Sequence, residues 1–282
     1  MRQWVKNVLV FVAPAAAGTL HHGPVLFKAL LAFAAFCLTA SGLYFINDIQ
    51  DVEADRAHPR KRRRPIASGE IPLPVAWASA IILLAAGLVI GFVGTTWHFG
   101  VILIAYVVIT IAYSMTLKRE PVIELACVAS GFVLRAVGGG AATGTPLSVW
   151  FVVVISFGAL FIVTGKRLAE MPDEHGRGGE KRAVLAEYTT SFLEATLTLT
   201  AGVSITAYCL WAFENTGLSS RANGGVVWIQ LTVVPVILGA LHVLRLLGRG
   251  EGAAPEDLAF RDRTLQALGI LWLLLVVIGV YL

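Results

Sequence analysis

Residues 25–55 read VLFKALLAFAAFCLTASGLYFINDIQDVEAD. Up to Ile46 the stretch carries one charge, Lys28; from Asn47 onward it carries Asp48, Asp51, Glu53 and Asp55. An apolar run of this length, at about 1.5 Å per residue, matches a hydrocarbon core of about 30 Å. The segment therefore reads as a membrane helix that leaves lipid near Ile46 and presents carboxylates to the water beyond.

Working outward, the same test finds mostly apolar stretches at 4–20, 74–94, 99–114, 121–140, 147–165, 189–213, 226–247 and 264–282. The chain is 57% hydrophobic and 14% charged, with mean hydropathy +0.76, more apolar surface than one water-soluble core could hide. The expected fold is all-α: a polytopic protein of about nine transmembrane helices, with the lipid bilayer as its solvent. No repeat, low-complexity tract or linker divides it, so one membrane-embedded domain over residues 1–282 is the economical reading. The first stretch is short, opens with Arg2 and Lys6 and ends after Ala15-Ala16-Ala17, a pattern shared with cleaved leaders. The parity of the spans keeps it as a helix.

With the N-terminus inside, nineteen of the 22 lysines and arginines fall on one side of this map. Only Arg221 lies in a loop on the other side, and Lys28 and Arg135 lie within spans. Such asymmetry predicts N-terminus in and C-terminus out; the expected location is the plasma (inner) membrane. The formal charge of +4 then has its explanation without nucleic acid, which is not expected as a partner. Cys37, Cys127 and Cys209 sit in apolar spans without metal-ligand spacing and read as packing residues. Outer loops are short; inner segments 47–73 and 166–188 are long and charged, which places the chemistry on the cytoplasmic face.

If the helix continues through Asn47–Asp55, then Asp48, Asp51 and Asp55 share a face. Carboxylates so placed either form a solvated acidic helix end or share a cation, and Mg²⁺ accepts carboxylate, water and phosphate oxygens. Next comes Arg56-Ala57-His58-Pro59-Arg60-Lys61-Arg62-Arg63-Arg64-Pro65-Ile66-Ala67-Ser68-Gly69. By itself such a run either sets topology and touches anionic lipid or pairs with phosphate. Beside the aspartates, a diphosphate explains both features.

The string from Asn47 to Gly69 resembles the first aspartate-rich motif of the UbiA superfamily of intramembrane prenyltransferases. Tyr113-Ser114-Met115-Thr116-Leu117-Lys118 is similar to that superfamily's Tyr/Lys motif, and Gln3-Trp4-Val5-Lys6-Asn7 to its usual opening. The resemblance implies a nine-helix bundle around a lipid-open cavity. It also implies Mg²⁺ and diphosphate held by Asp48, Asp51 and Asp55, with Asn47 as a neutral partner. Members that use prenyl diphosphates carry a second aspartate-rich motif between helices six and seven. Here Gly165-Lys166-Arg167-Leu168-Ala169-Glu170 stands there instead, two cations with one carboxylate, a composition suited to phosphate rather than to a second metal cradle.

With Glu124 and Phe132–Arg135 in the fifth span and Pro255–Arg263 before the last, the pattern resembles one branch of the superfamily. That branch transfers 5-phosphoribosyl from phosphoribosyl pyrophosphate to a polyprenyl (decaprenyl) phosphate, for arabinan precursors of certain cell walls. There the resemblance leads one to expect Asp where this chain has Glu124. Lys118, Lys166 and Arg167 are implied phosphate ligands, Arg64 closes over them, and Tyr113, Glu170 and Lys6 complete the substrate-binding set. Glu124 and Arg135, eleven residues apart, nearly share a helix face with Arg135 about 16 Å deeper. An arginine at that depth faces a polar cavity, a buried partner, or snorkels outward. An ionised phosphate nucleophile needs no general base, so the ordinary settings of His21, His22, His58, His98, His175 and His242 cost this expectation nothing. Prenyl transfer to an aromatic acceptor is the near alternative, and a transporter or scaffold the distant one. Self-association is left open.

Overall fold

In the computed structural model the described residues are 4–59, 61–171, 183–214, 225–248, 258 and 261–281. Residues 172–182 of the expected cytoplasmic segment, most of Pro255–Arg263, Arg221 and His175 lie outside them. Among the described residues, eight helices are long and apolar enough to cross a membrane. They are α1 (Gly23–Gln50), α2 (Leu73–Gly94), α3 (Trp97–Met115), α4 (Ile123–Thr143), α5 (Val149–Ala169), α6 (Thr190–Glu214), α7 (Val233–Gly248, its crossing starting at Val227) and α8 (Arg263–Tyr281). Among the described residues there is no strand. The chain is a multi-pass membrane protein.

Local chemistry sets the helix starts. Pro24 and Pro74 occupy first-turn positions of α1 and α2, where a missing N–H costs nothing. The Thr96 hydroxyl accepts the Phe99 N–H (3.2 Å) at the start of α3, and the Ser148 hydroxyl accepts the Phe151 N–H (3.1 Å) at the start of α5. Pro235 cannot donate to the carbonyl four residues back, and the helix before α7, Gly225–Leu231, ends there.

The first expected span differs from the other eight. Trp4–Ala16 is a shorter apolar helix, with a 3-10 stretch over Trp4–Phe11 and an α-helical turn over Val12–Ala16. Because a 3-10 helix rises about 2.0 Å per residue against about 1.5 Å, these residues still extend roughly 23 Å. Among the described residues the expectation of about nine helices is met by eight full-length helices and this shorter, stretched one.

The chain divides into two compact units. The first takes residues up to 15, 19–116 and 134–146. Its core surrounds Phe36, which meets Phe99 and Tyr106 edge-on at centroid distances of 5.5 and 5.4 Å. Close backbone approach here needs glycine. A Cβ on Gly139 would lie 1.9 Å from the Val10 carbonyl oxygen, and one on Gly87 would lie 2.3 Å from Thr39 Oγ1. Small residues of this kind let membrane helices gain dispersion contacts where lipid supplies no hydrophobic drive. The second unit takes 16–18, 117–133 and 147–282. Leu125, Ala129, Ala159, Val163, Tyr188 and Leu193 form one core cluster there, and Leu197, Leu246, Leu247 and Leu258 another.

Candidate active site

In the first unit α1 stops at Gln50, and a short helix, Val52–Ala57, resumes after Asp51, whose φ of −91° and ψ of 5° lie in the sparsely populated bridge region. Helical hydrogen bonding carries across the bend: the Asp51 N–H donates to the Asn47 carbonyl (3.0 Å) and the Asp55 N–H to the Asp51 carbonyl (2.8 Å). Asp48 and Asp55 therefore still converge. Arg64 Nη1 lies 2.9 Å from Asp48 Oδ1 and 2.8 Å from Asp55 Oδ2. Asp51 is instead engaged by Asn47, whose Nδ2 donates to Asp51 Oδ2 (3.1 Å) while Asn47 Oδ1 accepts from Ser114 Oγ (3.1 Å).

Arg64 reaches this point because the segment around it is anchored by burial. Ile66 packs with Ile49 and Ala76, and Phe45, Val52 and Ile71 close around them. The Ser68 N–H donates to the Arg64 carbonyl (2.8 Å) and the Ile71 N–H to the Pro65 carbonyl (3.0 Å), which folds the chain back over the aspartates.

Two carboxylate oxygens aimed at one nitrogen define a position for a cation. Protein Mg²⁺ sites commonly use one or two carboxylates, with water and phosphate oxygens for the rest, so these donors fit that ion. Among the described residues no three His, Cys, Asp or Glu side chains converge, and the expected three-aspartate seat is two carboxylates on one point with Asp51 held aside. Tyr113 is half-buried at the end of α3. Its neighbour Ser114, overlooked in the sequence although inside the quoted motif, is the residue that touches Asn47.

Also in this unit, Arg135 is satisfied deep in the protein. Its Nε donates to Asn7 Oδ1 (2.7 Å), its Nη2 to the Tyr106 hydroxyl (2.8 Å), and its guanidinium lies 4.7 Å from the Tyr106 ring centroid and 5.7 Å from that of Phe36. Asn7 is fully buried and donates in turn to Cys37 Sγ (3.1 Å). Of the three settings open to this arginine, the structure gives the buried partner. The opening motif contributes through Asn7; Lys6, the residue singled out, is half-buried beside it.

In the second unit, Glu124 in the first turn of α4 is fully buried and meets Arg167 of α5, with Arg167 Nε to Oε1 at 2.6 Å and Nη2 to Oε2 at 2.8 Å. Arg167 Nη1 also donates to Glu170 Oε2 at 2.8 Å. The guanidinium expected to meet phosphate is thus committed to two carboxylates of the chain. The reason is proximity inside a low-dielectric core, where a buried carboxylate without a partner is far costlier than an exposed one. Lys166, in the last turn of α5, and Lys118, in the 3-10 turn Leu117–Arg119, are half-buried.

The loop into α4 is strained. Val122 has φ +65°, and the Ile123 N–H reaches the Pro121 carbonyl at 2.7 Å, the pattern of the rarer left-handed γ-turn. For a β-branched residue this costs on the order of 1–3 kcal/mol and persists only where neighbours enforce it. Tyr188 supplies the hold: its hydroxyl accepts the Val122 N–H at 2.8 Å. Burial pushes the Tyr188 hydroxyl above its ordinary pKa, so it stays neutral.

A model of the UbiA prenyltransferase family matches residues 8–265. The decaprenyl-phosphate phosphoribosyltransferase of Corynebacterium glutamicum is 38% identical, across 100% of this chain and 85% of that protein. The protein of the same name from Mycobacterium tuberculosis is 40% identical, across 96% and 89% respectively. Among solved structures, a UbiA homolog from Archaeoglobus fulgidus bound to DMAPP and Mg²⁺ has a TM-score of 0.69 at 19% identity, over 99% of this chain and 95% of that one, a likeness of fold.

Proposed function

The chain belongs to the UbiA prenyltransferase family, and from that premise we propose that it transfers 5-phosphoribosyl from phosphoribosyl pyrophosphate to a polyprenyl phosphate. The observation that carries the proposal is identity near 40% to phosphoribosyltransferases along nearly the whole chain. The replaced second motif supports it, because Glu124 and Glu170 are both neutralised by Arg167 rather than left to form a second metal cradle.

In this reaction an oxygen of the lipid phosphate attacks C1 of the ribose. The C1–O bond to the diphosphate breaks, and its electron pair leaves with pyrophosphate. The nucleophile is already ionised, so the protein need only orient the groups and balance charge. Asp48 and Asp55 would hold Mg²⁺, with Asn47 fixing Asp51 beside them; bound there, the ion would neutralise the departing diphosphate. Arg64, which pairs with Asp48 and Asp55, would be free to meet phosphate oxygens once those carboxylates held the ion, a bidentate match for a guanidinium. On the resemblance, Lys118 and Lys166 are further phosphate ligands, and Tyr113 and Lys6 further substrate contacts. Arg135, bonded to Asn7 and Tyr106, keeps a fixed positive charge below the cytoplasmic face and favours anionic substrate.

The charge bias supports a cytoplasmic active site, with the N-terminus inside and the C-terminus outside; the plasma membrane and a product destined for cell-wall arabinan belong to the same proposal and rest on the likeness to decaprenyl-phosphate phosphoribosyltransferases. The test is release of pyrophosphate by protein in lipid vesicles. Release that requires Mg²⁺, phosphoribosyl pyrophosphate and polyprenyl phosphate together supports the assignment. Release from a prenyl diphosphate with an aromatic acid in their place overturns it.

A further inference from the structure

Between Lys118 and Glu124 the chain makes a turn that its own sequence disfavours. Val122 is 55% exposed, so side-chain burial does not compensate its left-handed backbone. Its carbonyl already accepts the Ala126 N–H (3.0 Å) as the first bond of α4, and the Glu124 N–H is bonded to the Glu120 carbonyl (3.0 Å). The Val122 N–H has its partner in Tyr188, 66 positions along the chain. Tyr188 is a firm post: it is 5% exposed, packs among Leu125, Val163 and Leu193, and lies nearly parallel to Phe192 at 5.7 Å. The 3-10 turn that carries Lys118 also packs on Ala183–Glu187, the segment leading into Tyr188. Glu124, two residues past Val122, is gripped separately by Arg167.

We propose that Tyr188 is a positioning residue: its hydroxyl holds the strained turn at Val122 closed and so fixes where Lys118 is presented to a phosphate of the donor. The identity of the donor and the contact of Lys118 with its phosphate rest on the ribosyl-transfer proposal. Without the hydroxyl, the Val122 N–H loses its acceptor and the turn relaxes toward backbone angles that valine prefers, carrying Lys118 with it. Tyr188 touches no reacting atom, so its removal affects donor binding rather than the chemical step.

The experiment is Tyr188→Phe in the full chain in lipid nanodiscs, which keeps the ring and its packing. It is read by amide exchange at Val122 and by kinetics for both substrates. The expected result is faster exchange at Val122 and an apparent KM for the donor raised roughly five- to thirty-fold. The KM for the lipid and kcat stay within about two-fold, since neither depends on this hydrogen bond. Val122→Gly, for which the turn is unstrained, restores most of the donor KM when combined with Tyr188→Phe. The double variant also covers the case in which Tyr188→Phe alone does not fold. An unchanged donor KM in folded Tyr188→Phe, unchanged exchange at Val122, or a double variant as impaired as the single one overturns the proposal. If wild-type protein transfers no ribosyl phosphate, the donor assignment fails separately. The positioning role is then decided by exchange at Val122 and by binding of magnesium pyrophosphate, which weakens in Tyr188→Phe if the role holds and is unchanged if it does not.

Discussion

Arg167 and Glu124, 43 positions apart, form a two-pronged ion pair with side chains 3% and 1% exposed. Removing one partner strands the other charge. Arg167→Gln is therefore expected to destabilise the fold by about 3–5 kcal/mol. Arg167→Lys should be little better, because an ammonium cannot reproduce the fork. The double change Glu124→Gln with Arg167→Gln should recover most of the loss. Thermal retention of folded protein in detergent, followed by size-exclusion, checks this; a stable Arg167→Gln single variant would show that the pair carries no such weight.

Lys166 separates phosphate binding from this structural pair. Lys166→Gln is expected to raise the apparent KM for phosphoribosyl pyrophosphate by about ten-fold while leaving thermal retention unchanged, as charge-assisted contacts are worth about 1.5–3 kcal/mol. Equal KM values in variant and wild type would reduce Lys166 to a topological anchor.

Arg64 bridges Asp48 and Asp55, so a metal ion bound at the proposed seat would compete with it. Arg64→Gln is expected to tighten Mn²⁺ binding, used as a paramagnetic stand-in for Mg²⁺ and read by electron paramagnetic resonance, while weakening donor binding. Asp55→Asn is expected to abolish Mn²⁺ binding and lower turnover about a hundred-fold or more. Undiminished Mn²⁺ binding in Asp55→Asn would place the metal elsewhere.

Much of this was legible in the sequence, for physical reasons that also mark the limit. The apolar runs and the Asn47–Asp55 spacing are local, and hydropathy and helical period report local order. Arg64 over the aspartates was foreshadowed by the acidic-then-basic order, though not that it would sit on the carboxylates themselves. Arg167 read as a phosphate ligand because its pairing with Glu124 is a tertiary event. Asn7 was passed over for the same reason: its partner Arg135 is 128 positions away. Nor does valine advertise a positive φ, since only its surroundings impose one on Val122.

Gly139 tests the N-terminal segment. With the Val10 carbonyl 1.9 Å from the position of a Cβ, Gly139→Ala must push Trp4–Ala16 outward and disturb the Asn7–Arg135 bond. A loss of about 1–3 kcal/mol is expected, from overpacking. Gly202→Ala, with nothing within 4 Å, is the neutral control on α6. Equal thermal retention of the two variants would contradict the close contact.

Asp262 gives a pH signature. It accepts the Leu265 N–H (2.9 Å) before α8 and a contact from His242 (3.1 Å), and these hold its carboxyl below the ordinary carboxylate pKa. A folded-state pKa below the unfolded one adds stability above the unfolded value, and that stability disappears as pH falls through the folded one. Wild type should therefore lose stability on acidification more steeply than Asp262→Asn below about pH 4. Parallel curves for the two proteins would remove this contribution.

The most direct measurement of the central claim follows the ribosyl group itself. Purified protein in vesicles receives phosphoribosyl pyrophosphate labelled in the ribose, together with a long polyprenyl phosphate and Mg²⁺. The predicted result is label in the organic phase, in a lipid that retains its 5-phosphate, with one pyrophosphate released per transfer and none of this after chelation. Label that stays in water, while a labelled prenyl diphosphate alkylates an aromatic acid under the same conditions, would contradict ribosyl transfer and assign the chain to prenyl transfer.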